Sequence, residues 1–274
     1  MQTSEEATSL DFTTSLGRIR ARVHGEGPTA ILWHGMFVDG RSWQSVVPRL
    51  SRRRRLVVLD GPGYGASDPL ARLTTIEECA EVAAQIIDAL PESGPVDWVG
   101  TAWGGHVGMT AAALYPQLLR SLVAISAPVQ PIDPVFRVKL IIAAGMLSRL
   151  GPIAHLRHAV HDAQLTEAHQ RDTAMTALID DAMAGVAPRA LARTVTSFII
   201  NRTDATHRLA RLQAPTLLIT GDDRGEWSPE TMAAAAALVP DVRTAVIRGA
   251  RTLVQVEQPN ETAAAIEAFW DARG

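Results

Sequence analysis

Residues Gly100 to Gly105 (GTAWGG) have the pattern of a sharp strand-to-helix turn that presents a nucleophile. In the G-x-S-x-G form of this turn, the central serine attacks a carbonyl carbon. The small flanking residues keep side chains from colliding with the adjoining strand and helix. Here the central residue is Ala102, and a methyl group cannot attack a carbonyl. The pattern therefore predicts the geometry of a nucleophile turn without its nucleophile.

Three further segments accompany this turn in a fixed order along the chain. An H-G-x triplet follows an apolar run, a D-x-P-G-x-G-x-S-D segment follows the next one, and a G-x-x-x stretch followed by E-x-P lies near the C-terminus. These are His34–Met36, Asp60–Asp68, Gly249–Thr252 and Glu257–Pro259.

With these four signatures the chain resembles the α/β-hydrolase superfamily over almost its whole length. The resemblance implies an α/β fold, with a mostly parallel eight-stranded sheet flanked by helices and an inserted helical lid. It also implies three catalytic positions, which occur in the order nucleophile, acid, histidine. In this chain they fall on Ala102, on Asp223 or Arg224, and on Thr252, which follows Arg251.

A shifted alignment does not restore the missing groups, because the last histidine of the chain is His207, well before the final predicted strand. A serine hydroxyl is a poor nucleophile without an adjacent base, so hydrolysis by a Ser-His-acid triad is not expected. Related enzymes that use an aspartate at the turn are excluded by the same Ala102.

The oxyanion hole implied by the resemblance consists of backbone N–H groups, from Met36 and Trp103, and does not need the lost side chains. It either stabilises negative charge on a ligand or remains as a relic of the turn. His34, beside it, is a candidate proton shuttle or a structural hydrogen-bonding group. His106 either packs in the core or faces the lid.

The loop expected to carry the acid holds several polar residues, among them Asp223 and Trp227, and Arg251 should lie close to it. An arginine in a lidded cavity suggests an anionic group on the ligand, held by two hydrogen bonds. The alternative is an internal ion pair, either Asp223–Arg251 or Asp222–Arg224.

Three histidines, His155, His158 and His161, are spaced like a metal-binding string, but positions three apart drift around a helix. Only Asp162 could complete the set, so no metal is expected. Cys79 is the single cysteine, which excludes an internal disulfide, and its apolar helical context predicts a buried side chain.

Short apolar runs alternate with helical patterns, as in a parallel sheet with crossover helices. The predicted strands are Leu10–Thr14, Ile19–Val23, Ala30–Trp33, Leu56–Leu59, Val96–Val99, Leu122–Ile125, Thr216–Thr220 and Thr244–Ile247. The predicted core helices are Trp43–Leu50, Ile76–Leu90, Trp103–Tyr115, Pro229–Leu238 and Pro259–Trp270.

The alternation stops between residues 131 and 206, where only helical patterns occur. They cover Val135–Leu150, Ala154–Gln164, Glu167–Gly185 and Arg189–Ile200. We therefore predict a core of residues 1–130 and 207–274, with residues 131–206 as a lid over the carboxyl ends of the strands. Apolar residues of Leu140–Leu147 either line the cavity beneath this lid or pack a helix.

The bulk composition narrows the class of partner. The chain has 274 residues, 47% of them hydrophobic, and a formal net charge of −3. This charge argues against nucleic acid or an anionic membrane as the main partner. No signal-peptide pattern and no apolar run of membrane-spanning length is found, so a cytoplasmic monomer or homodimer is expected.

Three functions remain open. The first is a cofactor-independent, non-hydrolytic enzyme of lyase, isomerase or cyclase type that acts on a small, mostly apolar organic molecule. The second is a non-catalytic protein that binds such a molecule as a ligand. The third is a hydrolase in which Asp223 or His34 activates water directly.

Overall fold

A computed structural model describes residues 8–92, 94–223 and 225–272, and its centre is an eight-stranded sheet. The strands are β1 (Thr8–Thr14), β2 (Gly17–His24), β3 (Thr29–Trp33), β4 (Arg55–Leu59), β5 (Val96–Thr101), β6 (Leu119–Ile125), β7 (Thr216–Gly221) and β8 (Val242–Ile247). Their order is β1-β2-β4-β3-β5-β6-β7-β8, and only β2 runs antiparallel to its neighbours. The predicted mostly parallel sheet is confirmed.

Strand β3 shows why the sheet is covered on both faces. Successive side chains of a strand point to opposite faces. Ile31 and Trp33 accordingly join one buried apolar cluster, while Ala30 and Leu32 join the other. A strand buried on both faces contains a continuous apolar run, as parallel sheets with helices on both sides require.

Helices cover the two faces. The core helices are α1 (Val47–Leu50), α2 (Ile76–Asp88), α3 (Trp103–Leu114), α9 (Pro229–Ala236), α10 (Val254–Glu257) and α11 (Pro259–Asp271). The N-terminus of α2 is fixed by a capping box, in which the Thr75 hydroxyl accepts from the Glu78 N–H and the Glu78 carboxylate accepts from the Thr75 N–H.

Between β6 and β7 the chain is helical, and we call residues 131–206 the helical segment. It contains α4 (Pro134–Leu150), α5 (Ala154–Gln164), α6 (Thr173–Ala184) and α7 (Pro188–Val195), and a π-helical turn covers Thr196–Ile200. Helix α8 (Thr206–Leu209) then leads into β7. The described chain contains no helix that is both long and apolar enough to cross a membrane.

Two predicted helices were wrong in extent. Trp43–Leu50 is a 3-10 turn (Gly40–Trp43) followed by the short α1, in which Pro48 occupies the first turn and has no N–H to donate. Glu167–Gly185 divides into a 3-10 turn (His169–Arg171) and α6, because the Asp172 side chain caps the new helix by accepting from Ala174 and Met175 N–H groups.

Candidate functional site

The turn at Ala102 has the strained backbone that a nucleophile turn requires. Ala102 lies between β5 and α3 with φ 46° and ψ −107°, in the left-handed half of conformational space. A Cβ at Gly100 would lie 2.2 Å from the Gly104 main chain, and one at Gly104 would lie 2.1 Å from the Trp33 carbonyl oxygen. The two glycines are therefore required by close main-chain approach, and the Ala102 methyl group remains partly exposed.

Two amide N–H groups beside this turn have no partner among the described residues. The Ala102 N–H donates to the Ile125 carbonyl at 2.7 Å, and its own carbonyl accepts from His106 at 2.9 Å. Among the described residues, no group accepts a hydrogen bond from the Met36 or Trp103 amide. Both side chains are buried, which leaves the main-chain donors as their polar contribution to the site.

His34 is held by the main chain at both ring nitrogens. Its Nδ1–H donates to the Gly35 carbonyl at 2.6 Å, and Nε2 accepts from the Gly61 N–H at 2.9 Å. The ring is fully buried, and this burial lowers the pKa of His34. The candidate proton shuttle is therefore a group that fixes the loop before Met36, and neither nitrogen is left for a ligand.

Aromatic rings fill the space next to the turn. Trp103 stacks on Phe198 of the helical segment, with 4.4 Å between ring centroids, and lies 5.9 Å from Tyr64. The Tyr64 hydroxyl contacts the Met36 sulfur at 3.8 Å, and burial raises the pKa of Tyr64 to about 12. The sequence did not indicate Phe198, because nothing local marks which residue of the helical segment reaches Trp103.

Arg251 donates from all three guanidinium nitrogens to other residues of the chain. Its side chain is only 3% exposed, and Nε and Nη2 both donate to Asp223 Oδ2, at 3.1 and 2.8 Å. Nη1 donates to the Asp162 carbonyl at the end of α5 and to Asp162 Oδ1 at 3.2 Å. The internal Asp223–Arg251 pair is therefore present and the anion-binding arrangement is not, while Arg224 lies outside the described residues.

Thr252, at the position where the resemblance implies a histidine, also bonds to α5. Its hydroxyl donates to the Ala163 carbonyl at 2.9 Å, and the N–H groups of Thr252 and Leu253 both donate to the Gln164 carbonyl at 3.2 Å. The last carbonyls of a helix have no partner within it. Residues 251–253 supply those partners, so this loop now caps the C-terminus of α5.

Glu257, from the E-x-P segment, fixes the same loop through its carboxylate. Its side chain is fully buried, and Oε2 accepts from the Arg251 N–H at 2.7 Å. Oε1 accepts from the Thr166 N–H at 2.7 Å and lies 3.0 Å from His169 Nδ1. Its motif was recognised in the sequence, but its three partners were not, since two of them belong to the distant helical segment.

Two further predicted site residues are buried and bond elsewhere than to the Met36 and Trp103 amides. Trp227 is buried, and its carbonyl accepts from the Thr220 hydroxyl at 2.6 Å. His106 is also buried in α3, where its Nε2–H donates to the Pro128 carbonyl at 2.9 Å. Burial and the nearby Arg202 charge lower the pKa of His106 to about 3.

Of the suspected metal string, His161 pairs with Asp180 Oδ1 at 2.9 Å instead of facing the other two histidines. The described chain contains no group of three or more potential metal ligands. Cavities of about 290 and 340 Å³ occur in the structure, and neither is lined by Ala102, Trp103 or Arg251. The expected cavity floored by the turn is therefore not one of these two.

A sequence profile of the alpha/beta hydrolase family matches residues 30–265. The chain belongs to this family. The pimeloyl-[acyl-carrier protein] methyl ester esterase of Edwardsiella ictaluri is 26% identical over 89% of this chain and 93% of the esterase. The 2-(acetamidomethylene)succinate hydrolase of Mesorhizobium japonicum is 26% identical over 94% of both chains.

Two other proteins are similar to this chain, one in sequence and one in structure. The polyketide synthase ThaQ of Burkholderia thailandensis is 28% identical over 90% of this chain, which spans only 12% of that much longer protein. Among solved structures, a thermophilic esterase of Thermogutta terrifontis superposes with a TM-score of 0.88 at 25% identity, over 97% of this chain and 99% of the esterase. These alpha/beta hydrolase relatives include esterases and other hydrolases by name.

Proposed function

We propose that this chain is a non-hydrolytic member of the alpha/beta hydrolase family that binds a small, mostly apolar molecule through a carbonyl-type oxygen at the Ala102 turn. One observation carries the proposal: the Met36 and Trp103 amides keep unpaired N–H groups beside a residue without a nucleophilic atom. Backbone donors at such a turn favour an oxygen that bears negative charge or a strong dipole.

The contacts at the other two catalytic positions argue against triad hydrolysis. Asp223 accepts twice from Arg251, and the Thr252 hydroxyl donates to a helix carbonyl. Direct activation of water by His34 or Asp223 has little support either, since both His34 nitrogens bond to main chain and Asp223 Oδ2 accepts from Arg251. We therefore take from the named hydrolases among the relatives only a proposed ligand class, an ester-like carbonyl compound.

The helical segment is proposed as a lid over the carboxyl ends of the strands. Its α5 is held by residues 251–253, and its Phe198 stacks on Trp103 next to the turn. A lid fixed at both places would exclude water from the ligand's carbonyl and strengthen its hydrogen bonds.

The amide resonances of Met36 and Trp103 provide the direct test of binding. In a titration with hexan-2-one followed by ¹H–¹⁵N correlation spectra, both amide protons should move downfield as they donate to the ketone. Shifts confined to other residues, or none at all, would contradict the proposal.

Esterase assays test the lack of hydrolysis. The wild-type chain and Ala102→Ser should not turn over p-nitrophenyl butyrate above the buffer rate, because position 252 holds a threonine and both His34 nitrogens bond to main chain. The triple variant Ala102→Ser, Arg251→Gly, Thr252→His should be the better esterase of the variants if it folds. Robust turnover by Ala102→Ser alone would show that another group supplies the base.

A second candidate function is cofactor-independent catalysis of lyase, isomerase or cyclase type. The same two N–H groups favour it, since they would stabilise the enolate left when hydroxide from solvent takes an α-proton of a bound ketone and becomes water. Exchange of the α-hydrogens of hexan-2-one in D₂O, followed by proton spectra, separates the two functions. Enzyme-dependent exchange supports catalysis, and its absence with ligand bound supports binding alone.

A further inference from the structure

Helix α4 carries most of the large apolar side chains that the described chain leaves exposed. Of ten such side chains, six lie on this one helix, and Val135 and Ile142 are 67% and 61% exposed. Apolar patches of this kind on a protein surface mark interaction sites. We call the six the α4 apolar patch: Val135, Phe136, Val138, Ile141, Ile142 and Leu150.

An open groove beside α4 extends the patch. It has a volume of about 340 Å³, and Leu73, Ile141, Arg189 and Ile200 are among its lining residues. Leu73 is itself exposed, so the apolar surface continues from α4 onto the loop before α2. Ala102 does not line the groove, so this surface is separate from the site of the proposed function.

The charged residues of α4 and of the groove are all cations. Helix α4 contains Arg137, Lys139 and Arg149 and no carboxylate, and Arg189 lines the groove. In the described part of the chain, no carboxylate forms a salt bridge with any of these four. The nearest acid in sequence, Asp133, caps the N-terminus of α4 with its side chain. The patch is therefore both apolar and locally positive.

The local charge and the net charge favour different partners. The net charge of −3 belongs to the whole chain, and it argues against an anionic membrane as the main partner. Electrostatic attraction, however, is screened over about 8 Å at physiological salt. An anionic surface that meets α4 first therefore interacts mainly with the cations of this helix.

Two other occupants fit the patch less well. A symmetric dimer that paired α4 with α4 would place the same cations against each other, with no carboxylate on either helix. A single partner helix covers one stripe of α4, whereas residues 134–142 are all exposed apart from half-buried Leu140. Adjacent residues of a helix point about 100° apart, so the exposed Ile141 and Ile142 must be covered from two directions. A fluid lipid surface can do this.

We propose that α4 docks this chain on an anionic lipid surface. Val138 and Ile142 enter the boundary between headgroups and acyl chains, and Arg137 and Lys139 interact with the headgroup phosphates. The long side chains of these two cations reach the headgroups while their methylene groups contact apolar surface. Docking thus depends on apolar contact and on lipid charge together.

Sedimentation with lipid vesicles tests the docking. We expect the chain to sediment with vesicles of equimolar phosphatidylglycerol and phosphatidylcholine, and to stay in solution with phosphatidylcholine alone. Added salt should release it, because salt screens the attraction between the cations and the headgroups. A chain that does not sediment with the anionic vesicles would overturn the proposal in favour of a protein occupant.

A charge-matched pair of variants tests the cations. Arg137→Gln with Lys139→Gln should weaken binding to the anionic vesicles about thirtyfold, the effect typical of two cations near such a surface. Arg52→Gln with Arg211→Gln makes the same change in net charge at two other exposed positions and should leave binding nearly unchanged. Equal losses in the two double variants would mean that net charge, and not α4, governs binding, which contradicts the proposal.

A second matched pair tests the apolar contact. Val138→Ser with Ile142→Ser should weaken binding at least about tenfold, because both side chains leave water on docking. Leu238→Ser with Val246→Ser, at exposed positions outside α4, is the control and should have little effect. All four side chains are exposed, so the variants should fold. Unchanged binding of the α4 variant would exclude apolar insertion.

The buried Cys79 is the single cysteine, so a fluorescent label can be placed on the patch alone. A nitrobenzoxadiazole label on Val138→Cys should shift its emission to the blue with anionic vesicles, and one on Val246→Cys should not. A label at position 138 that stays in water while the chain sediments would place the contact elsewhere and overturn the proposal.

Sedimentation velocity without lipid tests for a second copy on the patch. A dimer that Val138→Ser with Ile142→Ser dissociates would show that another chain covers α4, which also overturns the proposal. Hexan-2-one binding is read at Met36 and Trp103 without lipid, so failure of the docking and failure of the proposed function are distinguishable.

Discussion

The family resemblance places catalytic residues in two regions, the Ala102 turn and the Arg251–Glu257 loop. The two regions differ in the hydrogen-bond partners of their polar groups. At the turn, no residue in the described part of the chain accepts from the Met36 or Trp103 amide. In the loop, the Arg251 and Thr252 side chains donate to carbonyls at the end of α5, and Glu257 accepts from the Arg251 N–H. The turn therefore keeps its main-chain geometry around an alanine, whereas the side chains at the implied catalytic positions of the loop make structural contacts.

The largest effect should come from Glu257→Gln. The carboxylate accepts from two main-chain N–H groups and contacts His169 in a fully buried position, and an amide presents an N–H in place of one acceptor. We expect a loss of about 3–5 kcal/mol in the free energy of unfolding, measured by urea denaturation. Glu261→Gln, exposed on α11, is the control, and equal effects of the two changes would remove the distinction between the regions.

Arg251→Met should be next. It removes the pair with Asp223 and the bonds to Asp162, and we expect a loss of about 2–3 kcal/mol with faster amide hydrogen exchange in α5. Arg171→Met breaks an exposed pair with Glu167 and should cost less than about 0.5 kcal/mol. Unchanged exchange in α5 would show that the loop does not hold this helix.

Acid should lower the free energy of unfolding through His106, which lies in the helix that follows the Ala102 turn. Its folded-state pKa of about 3 lies below the unfolded value of 6.5, so the unfolded chain takes up the proton first as the pH falls. The contribution of neutral His106 to the free energy of unfolding is fully present above pH 6.5. Below that pH it declines by about 1.4 kcal/mol per pH unit, which is a loss of about 2 kcal/mol by pH 5.

His106→Gln should flatten that part of the stability curve, measured by denaturation between pH 7 and pH 5. His158→Gln, at an exposed position on α5, should leave the slope unchanged. A slope that persists in full without His106 would assign the acid sensitivity to other groups.

The smallest effect, and one of opposite sign, is expected at the turn itself. Ala102→Gly relieves a left-handed conformation that disfavours a side chain, so stability should rise by about 1 kcal/mol. Ala233→Gly, exposed in α9, should lower it by about 1 kcal/mol. Thermal denaturation of both variants checks the pair, and a loss at Ala102 would mean that the turn is not strained.

The elements that are fixed locally were predictable from the sequence. Each predicted strand corresponds to one of the eight observed, and the glycines at 100 and 104 indicated the turn, because apolar periodicity and steric need are local properties. The contacts of α5 were not predictable, since residues 162–164 and 251–253 lie far apart along the chain. The engagement of His34 Nε2 likewise depends on Gly61, which only the folded chain brings close.

The caps on α5 also bear on how this sequence could change over evolutionary time. A mutation that put a histidine at position 252 would remove the hydroxyl bonded to the Ala163 carbonyl. A mutation of Arg251 to glycine would leave the Asp162 carbonyl and Asp223 without their guanidinium partner. Either change lowers stability before any reactivity is gained, because Ala102 still lacks a nucleophile. The substitutions would thus be epistatic, and triad chemistry at these positions would require several at once.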